Sequence, residues 1–214
     1  MDYEIKKEGK FDYLEVGEGE VLMLLHGLFG ALSNFSDLIE RFRKTNKVVV
    51  PLLPLFDLDI LHTSVTGLAK HVDQFIEHKG YDHIHLLGNS LGGHVALVHV
   101  LKHPEKIKSL TLTGSSGLFE NAMGDSYPKR GDYDYIKNKT ALTFYDPAMA
   151  TKELVDEVFE ITKNRVKVIK IIALAKSAIR NNLGEELNQI QIPTLLIWGK
   201  NDTVTPPFVA EEFH

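Results

Sequence analysis

The nine residues from Leu86 to His94, LLGNSLGGH, set a serine among glycines directly after an apolar run. A serine hydroxyl becomes a useful nucleophile when a base takes its proton and a sharp strand-to-helix turn presents it to the substrate. Gly88-Asn89-Ser90-Leu91-Gly92 has the G-x-S-x-G form of such a turn, with a strand pattern over residues 83–88 before it and a helix pattern over 91–102 after it. The tight turn strains the serine backbone and excludes bulky side chains two residues to either side, where Gly88 and Gly92 stand. Ser90 is therefore the candidate nucleophile. A tetrahedral oxyanion needs two preset N–H donors, one of them from the residue after the nucleophile, here Leu91. His26-Gly27-Leu28-Phe29-Gly30, after the apolar VLMLL, is placed to supply the other, from Leu28 or less favourably from Phe29. In WGKNDTVTP an apolar run ends at Gly199, and Asp202 follows in a turn where its carboxylate can reach and orient a histidine.

These groups need a scaffold that gathers them at one edge. Apolar or β-branched runs at residues 11–17, 21–27, 47–53, 83–88, 107–114 and 192–199 read as strands. Helical spacing appears at 36–44, 64–79 and 91–102. Strands separated by helices need crossover connections, so the expected fold is α/β, with a mostly parallel, doubly wound sheet and flanking helices. Between Ser115 and Gln191 the strand rhythm stops, and helical pieces are expected near 132–139, at 151–163 with Thr151 as N-cap, and at 165–182. This predicts a core in two parts, residues 1–114 and 192–214, with a helical lid at 115–191 above the carboxyl edge where ligands bind in open sheets.

Composition removes other classes of function. The 214 residues carry 24 Lys+Arg against 29 Asp+Glu, a net charge of −5 that is too mild and interspersed to expect nucleic acid or a membrane as partner. No run approaches the ~18 apolar residues of a membrane span, and the first ten residues lack the apolar stretch of a secretory signal. The absence of cysteine excludes disulfides, thiolate metal sites and a cysteine nucleophile, and fits a cytoplasmic location. His83 and His85 are expected to share one face of a strand, but two ligands without a third make a poor metal site, and no cofactor is expected.

With Ser90, the HGLFG loop and Asp202 in this order, the sequence resembles the α/β-hydrolase superfamily over nearly its whole length. GNSLGGH, LTGSSGLF and LIWGKNDTVTPP are similar to the branch of meta-cleavage-product hydrolases and related carboxylesterases. The resemblance implies a lidded serine hydrolase with Ser90 as nucleophile, Asp202 as the acid that orients the histidine, and Leu28 and Leu91 as oxyanion donors. His26 precedes the serine and, in a family ordered Ser, acid, His, is expected to brace its loop. Phe29, Asn89, Phe119 and Phe144 are candidate substrate contacts, beside Leu118, Met123, Leu142 and Tyr145; at helical spacing the lid residues also read as lid core. Arg130 is a candidate contact for an anionic substrate or an exposed turn residue. The family's base follows an eighth strand, well beyond the acid, whereas His214 reads as part of a helix. The expectation is thus a chain shortened before the last strand, the catalytic histidine and the final helix. The expected substrate is a small ester or ketone, and the expected state is a monomer or homodimer. Alternatives are a carbon–carbon bond hydrolase, for which Asn89 argues and the HGLFG loop does not, a thioesterase or lactonase, and a non-catalytic ligand sensor.

Overall fold

The computed structural model of the chain describes residues 3–29, 32–121 and 131–214. Seven strands form one sheet: β1 (Lys6–Glu8), β2 (Phe11–Val16), β3 (Val21–Leu25), β4 (Lys47–Pro51), β5 (Ile84–Asn89), β6 (Ile107–Thr113) and β7 (Thr194–Ile197), in the order β1-β2-β4-β3-β5-β6-β7. The β1/β2 and β2/β4 pairs are antiparallel and the others parallel. The mostly parallel sheet with helices on both faces matches the expectation. β1 was not expected, because three charged residues carry no apolar signal; its edge place as an antiparallel partner of β2 suits that composition.

Alternation along the strands divides the core in two. Met23, Leu25 and Val49 point into a large cluster with α2 (Val65–Lys79) and α3 (Leu91–Lys102). Leu24, Val48 and Val50 point to the opposite face, against Phe35 and Ile39, the latter in α1 (Ser36–Phe42). Helices on both faces explain why these strands are apolar throughout. α2 begins where Ser64 Oγ accepts the Gly67 N–H at 3.0 Å and ends at Gly80 in the left-handed conformation, φ 64°.

Between β6 and β7 lie α4 (Tyr133–Ala141), α5 (Lys152–Lys163) and α6 (Arg165–Arg180), and α7 (Pro207–Phe213) follows β7. Asp132, Thr151 and Asn164 cap α4, α5 and α6 through their side chains. α6 is not held aloft from the sheet. Its Leu174 and Ala178, with Leu183 after it, join the large core cluster beside α2 and α3. No described helix is long and apolar enough to cross a membrane.

Candidate active site

β5 ends at Asn89 and α3 begins at Leu91, leaving Ser90 as the single residue of the turn. Its backbone stands at φ 52°, ψ −119°, in the left-handed region that a residue with a Cβ avoids. Hydrogen bonds hold it there. The Ser90 N–H donates to the Thr113 carbonyl at 3.1 Å, and the Ser90 carbonyl accepts from the N–H groups of Gly93, His94 and Ser116 at 2.9, 3.2 and 3.3 Å. The glycines are required by space: a Cβ on Gly88 would lie 2.5 Å from the Gly92 carbonyl oxygen, and one on Gly92 only 2.1 Å from that of Leu25. The sequence therefore fits α3 tightly against β3 and β5 and leaves the serine half-buried on the strained turn. Leu91 is the first residue of α3, where an N–H has no partner within the helix and is available to an oxyanion.

The HGLFG loop meets this turn directly. A Cβ on Gly27 would sit 3.3 Å from Ser90 Cβ and 3.4 Å from Asn89 Oδ1. His26 is buried, with Nδ1 2.9 Å from the Gly27 carbonyl and Nε2 3.0 Å from the Leu53 N–H. A carbonyl only accepts and an N–H only donates, so Nδ1 carries the proton and both nitrogens are used. Burial lowers its pKa and keeps the ring neutral. His26 braces the loop. Leu28 packs partly against the core, whereas Phe29 is 40% exposed.

Asp202 follows β7 in a turn that its own carboxylate organises. Oδ1 accepts the N–H groups of Val204 and Thr205, both at 2.9 Å, and Oδ2 accepts the Thr205 hydroxyl at 3.1 Å. A Cβ on Gly114, just past β6, would lie 3.1 Å from Oδ2, so the carboxylate rests on the carboxyl edge one strand from the serine turn. Asn89 is tied down at the same edge: Nδ2 donates to the Thr113 carbonyl at 3.1 Å and to its hydroxyl at 3.0 Å. Thr113 and Thr205 are supports that pattern reading passed over. Their signal was a threonine at the end of a strand in LTLTG and another in the turn after Asp202 in DTVTP.

Other expected contacts lie further out. Phe119 is 44% exposed and packs on Phe208 of α7, with ring centres 5.3 Å apart. Phe144 is half-buried just past α4, while Leu142 and Tyr145 are exposed. The inserted helices reach the acid's loop where Asn121 N–H donates to the Val204 carbonyl at 2.7 Å and Thr203 Oγ1 to that of Leu142 at 3.5 Å. Met123 and Arg130 lie outside the described residues. His83 precedes β5 at φ 51° and pairs with Asp82, whereas His85 faces Ser109 and Glu20, so the expected shared face is replaced by two separate surroundings. His214 closes α7 and is exposed. A cavity of about 420 Å³ between Ile60, Leu61, Thr63 and Ser64 on one side and Ala173 and Arg180 of α6 on the other is lined by neither Ser90 nor Asp202.

Residues 20–147 match the family model described as alpha/beta hydrolase fold. An α/β-hydrolase enzyme from the metagenome of sediments of a Moroccan lagoon is 44% identical, with a TM-score of 0.79 over 98% of this chain and 81% of its own. A monoacylglycerol lipase of Xenopus laevis is 31% identical over 177 residues, 69% of this chain; the chain spans 50% of that relative's length. The 2-hydroxy-6-oxononadienedioate/2-hydroxy-6-oxononatrienedioate hydrolase of Comamonas testosteroni is 27% identical over 90% of this chain and 74% of its own.

Proposed function

The chain belongs to the α/β-hydrolase family, and from that premise we propose that it is a serine hydrolase acting on a carboxylic ester of a small apolar substrate. The observation that carries this reading is the strained Ser90, held at φ 52° between a strand and a helix that only glycines allow to approach so closely. A histidine oriented by Asp202 takes the Ser90 proton, and the alkoxide attacks the carbonyl carbon. The Leu91 and Leu28 amides hold the oxyanion, the alcohol leaves with the proton, and water releases the acyl group. Phe29, Phe119 and Phe144 face the acyl chain under a lid of α4, α5 and α6. Val204 and Thr205 hold the Asp202 carboxylate and keep Oδ2 aimed over Gly114 for that histidine.

A carbon–carbon bond hydrolase is the second reading, favoured by the similarity to the Comamonas testosteroni enzyme. Asn89, the feature shared with the carbon–carbon enzymes, has its Nδ2 bonded to the Thr113 carbonyl and hydroxyl, which weighs for the ester.

The test is intact mass of the protein expressed from its natural gene, before and after a serine-directed fluorophosphonate, with esters and a dienone acid as substrates. One adduct on Ser90 and ester turnover are expected, and S90A should lose the adduct and at least about a thousandfold in kcat. Equal labelling of wild type and S90A, or none of either, overturns the reading. A mass above 24.1 kDa would place further chain, and a source for the histidine, outside these residues.

A further inference from the structure

The insertion between β6 and β7 leaves and re-enters the sheet side by side. The Leu183 N–H donates to the Gly117 carbonyl at 2.8 Å, and Asn182 Nδ2 donates to the Leu118 carbonyl at 2.6 Å. A side chain from the nucleophile's own helix joins this neck. His94, one turn past Ser90 and fully buried, places Nε2 2.8 Å from the Asn181 carbonyl and Nδ1 3.5 Å from Ser116 Oγ. The carbonyl only accepts, so Nε2 carries the ring proton and Nδ1 is left as an acceptor facing the Ser116 hydroxyl, which lies equally near the Ser90 carbonyl oxygen at 3.5 Å. Ser116 is itself bonded to the turn, its N–H to the Ser90 carbonyl, and its hydroxyl also meets the Glu120 carboxyl, whose pKa burial raises.

The neighbours of His94 on α3 are Val95, Ala96, Leu97 and Val98, all buried. A leucine would fill the same space without the cost of burying a polar ring, so the imidazole is present for its two hydrogen bonds. We propose that His94 is a positioning residue, whose ring fastens the neck of the inserted helices to the serine turn and so fixes where a long acyl chain lies relative to Ser90. This rests on the serine-hydrolase reading.

The test compares wild type, H94A and H94Q, expressed from the natural gene, on p-nitrophenyl esters from acetate to octanoate. Each is also labelled on Ser90 with a small fluorophosphonate, at a temperature where circular dichroism shows it folded. H94A should raise KM for the octanoate by about tenfold while acetate turnover and labelling stay within about threefold, because a displaced neck harms only the chain that reaches it. H94Q, whose amide N–H can reach the Asn181 carbonyl as Nε2 does, should return the octanoate KM towards wild type. The Leu183 N–H should exchange with deuterium faster in H94A than in H94Q. Equal losses on both esters, or no rescue by H94Q, would show that His94 only supports the fold and overturn the inference. If H94A does not fold, S116A, which removes the hydroxyl at Nδ1, is judged by the same ratio. If wild type neither turns over nor labels, the serine-hydrolase reading fails, and exchange at Leu183 still decides whether His94 holds the neck.

Discussion

Ser90 keeps its left-handed backbone because four hydrogen bonds and the lack of three side chains leave it nowhere else to go. Gly92 is the most demanding of these positions, since any Cβ there meets the Leu25 carbonyl of β3 at 2.1 Å. G92A should therefore destabilise the protein by about 2 kcal/mol or more, read as a lowered urea midpoint, with labelling of Ser90 lost in parallel. A variant as stable as the parent would mean that β3 and α3 part easily, and the tight turn would lose its explanation. At this scale the sequence was informative wherever chemistry rests on residue type and short spacing. Ser90, the glycines around it and Asp202 could be read directly. The partners of Asn89 and His94 could not, because Thr113 is 24 positions from Asn89 and Asn181 is 87 from His94. No local pattern encodes such distant contacts.

The helices were legible because capping and periodicity agree. Ser64, Asp132 and Thr151 stand just before the apolar spacing begins, and each accepts a backbone N–H two or three residues into its helix. S64A should cost about 1 kcal/mol, seen as a lower thermal midpoint, because the Gly67 N–H loses its acceptor. An unchanged midpoint would mean that water replaces the cap in full. α2 has a second tie, since the Val65 N–H donates to Ser177 Oγ of α6 at 3.0 Å. That contact shows what periodicity hid. α6 has the exposed Val166, Ile169 and Ile179 on one side and the buried Leu174 and Ala178 on the other, and its inner face packs among core helices. Strand ends were less legible than helix starts: β7 is four residues of the eight expected, and His83 turns left-handed just before β5.

Over the whole molecule, buried histidines set the response to acid. Burial lowers the pKa of His26, and holds His71 and His94 at about 4 against an ordinary 6.5. Folded, these rings are neutral where the unfolded chain takes up protons, so the unfolded state binds more protons as the pH falls below about 6.5, down to about 4 for His71 and His94. Stability should be complete above pH 6.5 and fall through that window, each ring adding up to about 1.4 kcal/mol per pH unit to the slope. Urea midpoints measured from pH 7.5 to 4.5 check this, and a flat profile would mean that the rings are charged in the fold. The mostly parallel sheet with its flanking helices could be expected from alternating strands and helices, whereas the depth to which the inserted segment enters the core could not. The neck at Gly117 and Leu183 bears on how such a protein changes over generations. Its two ends meet across two hydrogen bonds, so residues can be gained or lost in between without moving either end, at an entropic cost that grows only with the logarithm of length. The outer portion is then free to drift while its last helix, built into the core, is not. A graft from a relative would need matching ends and a final helix able to replace Leu174 and Ala178 against α2 and α3.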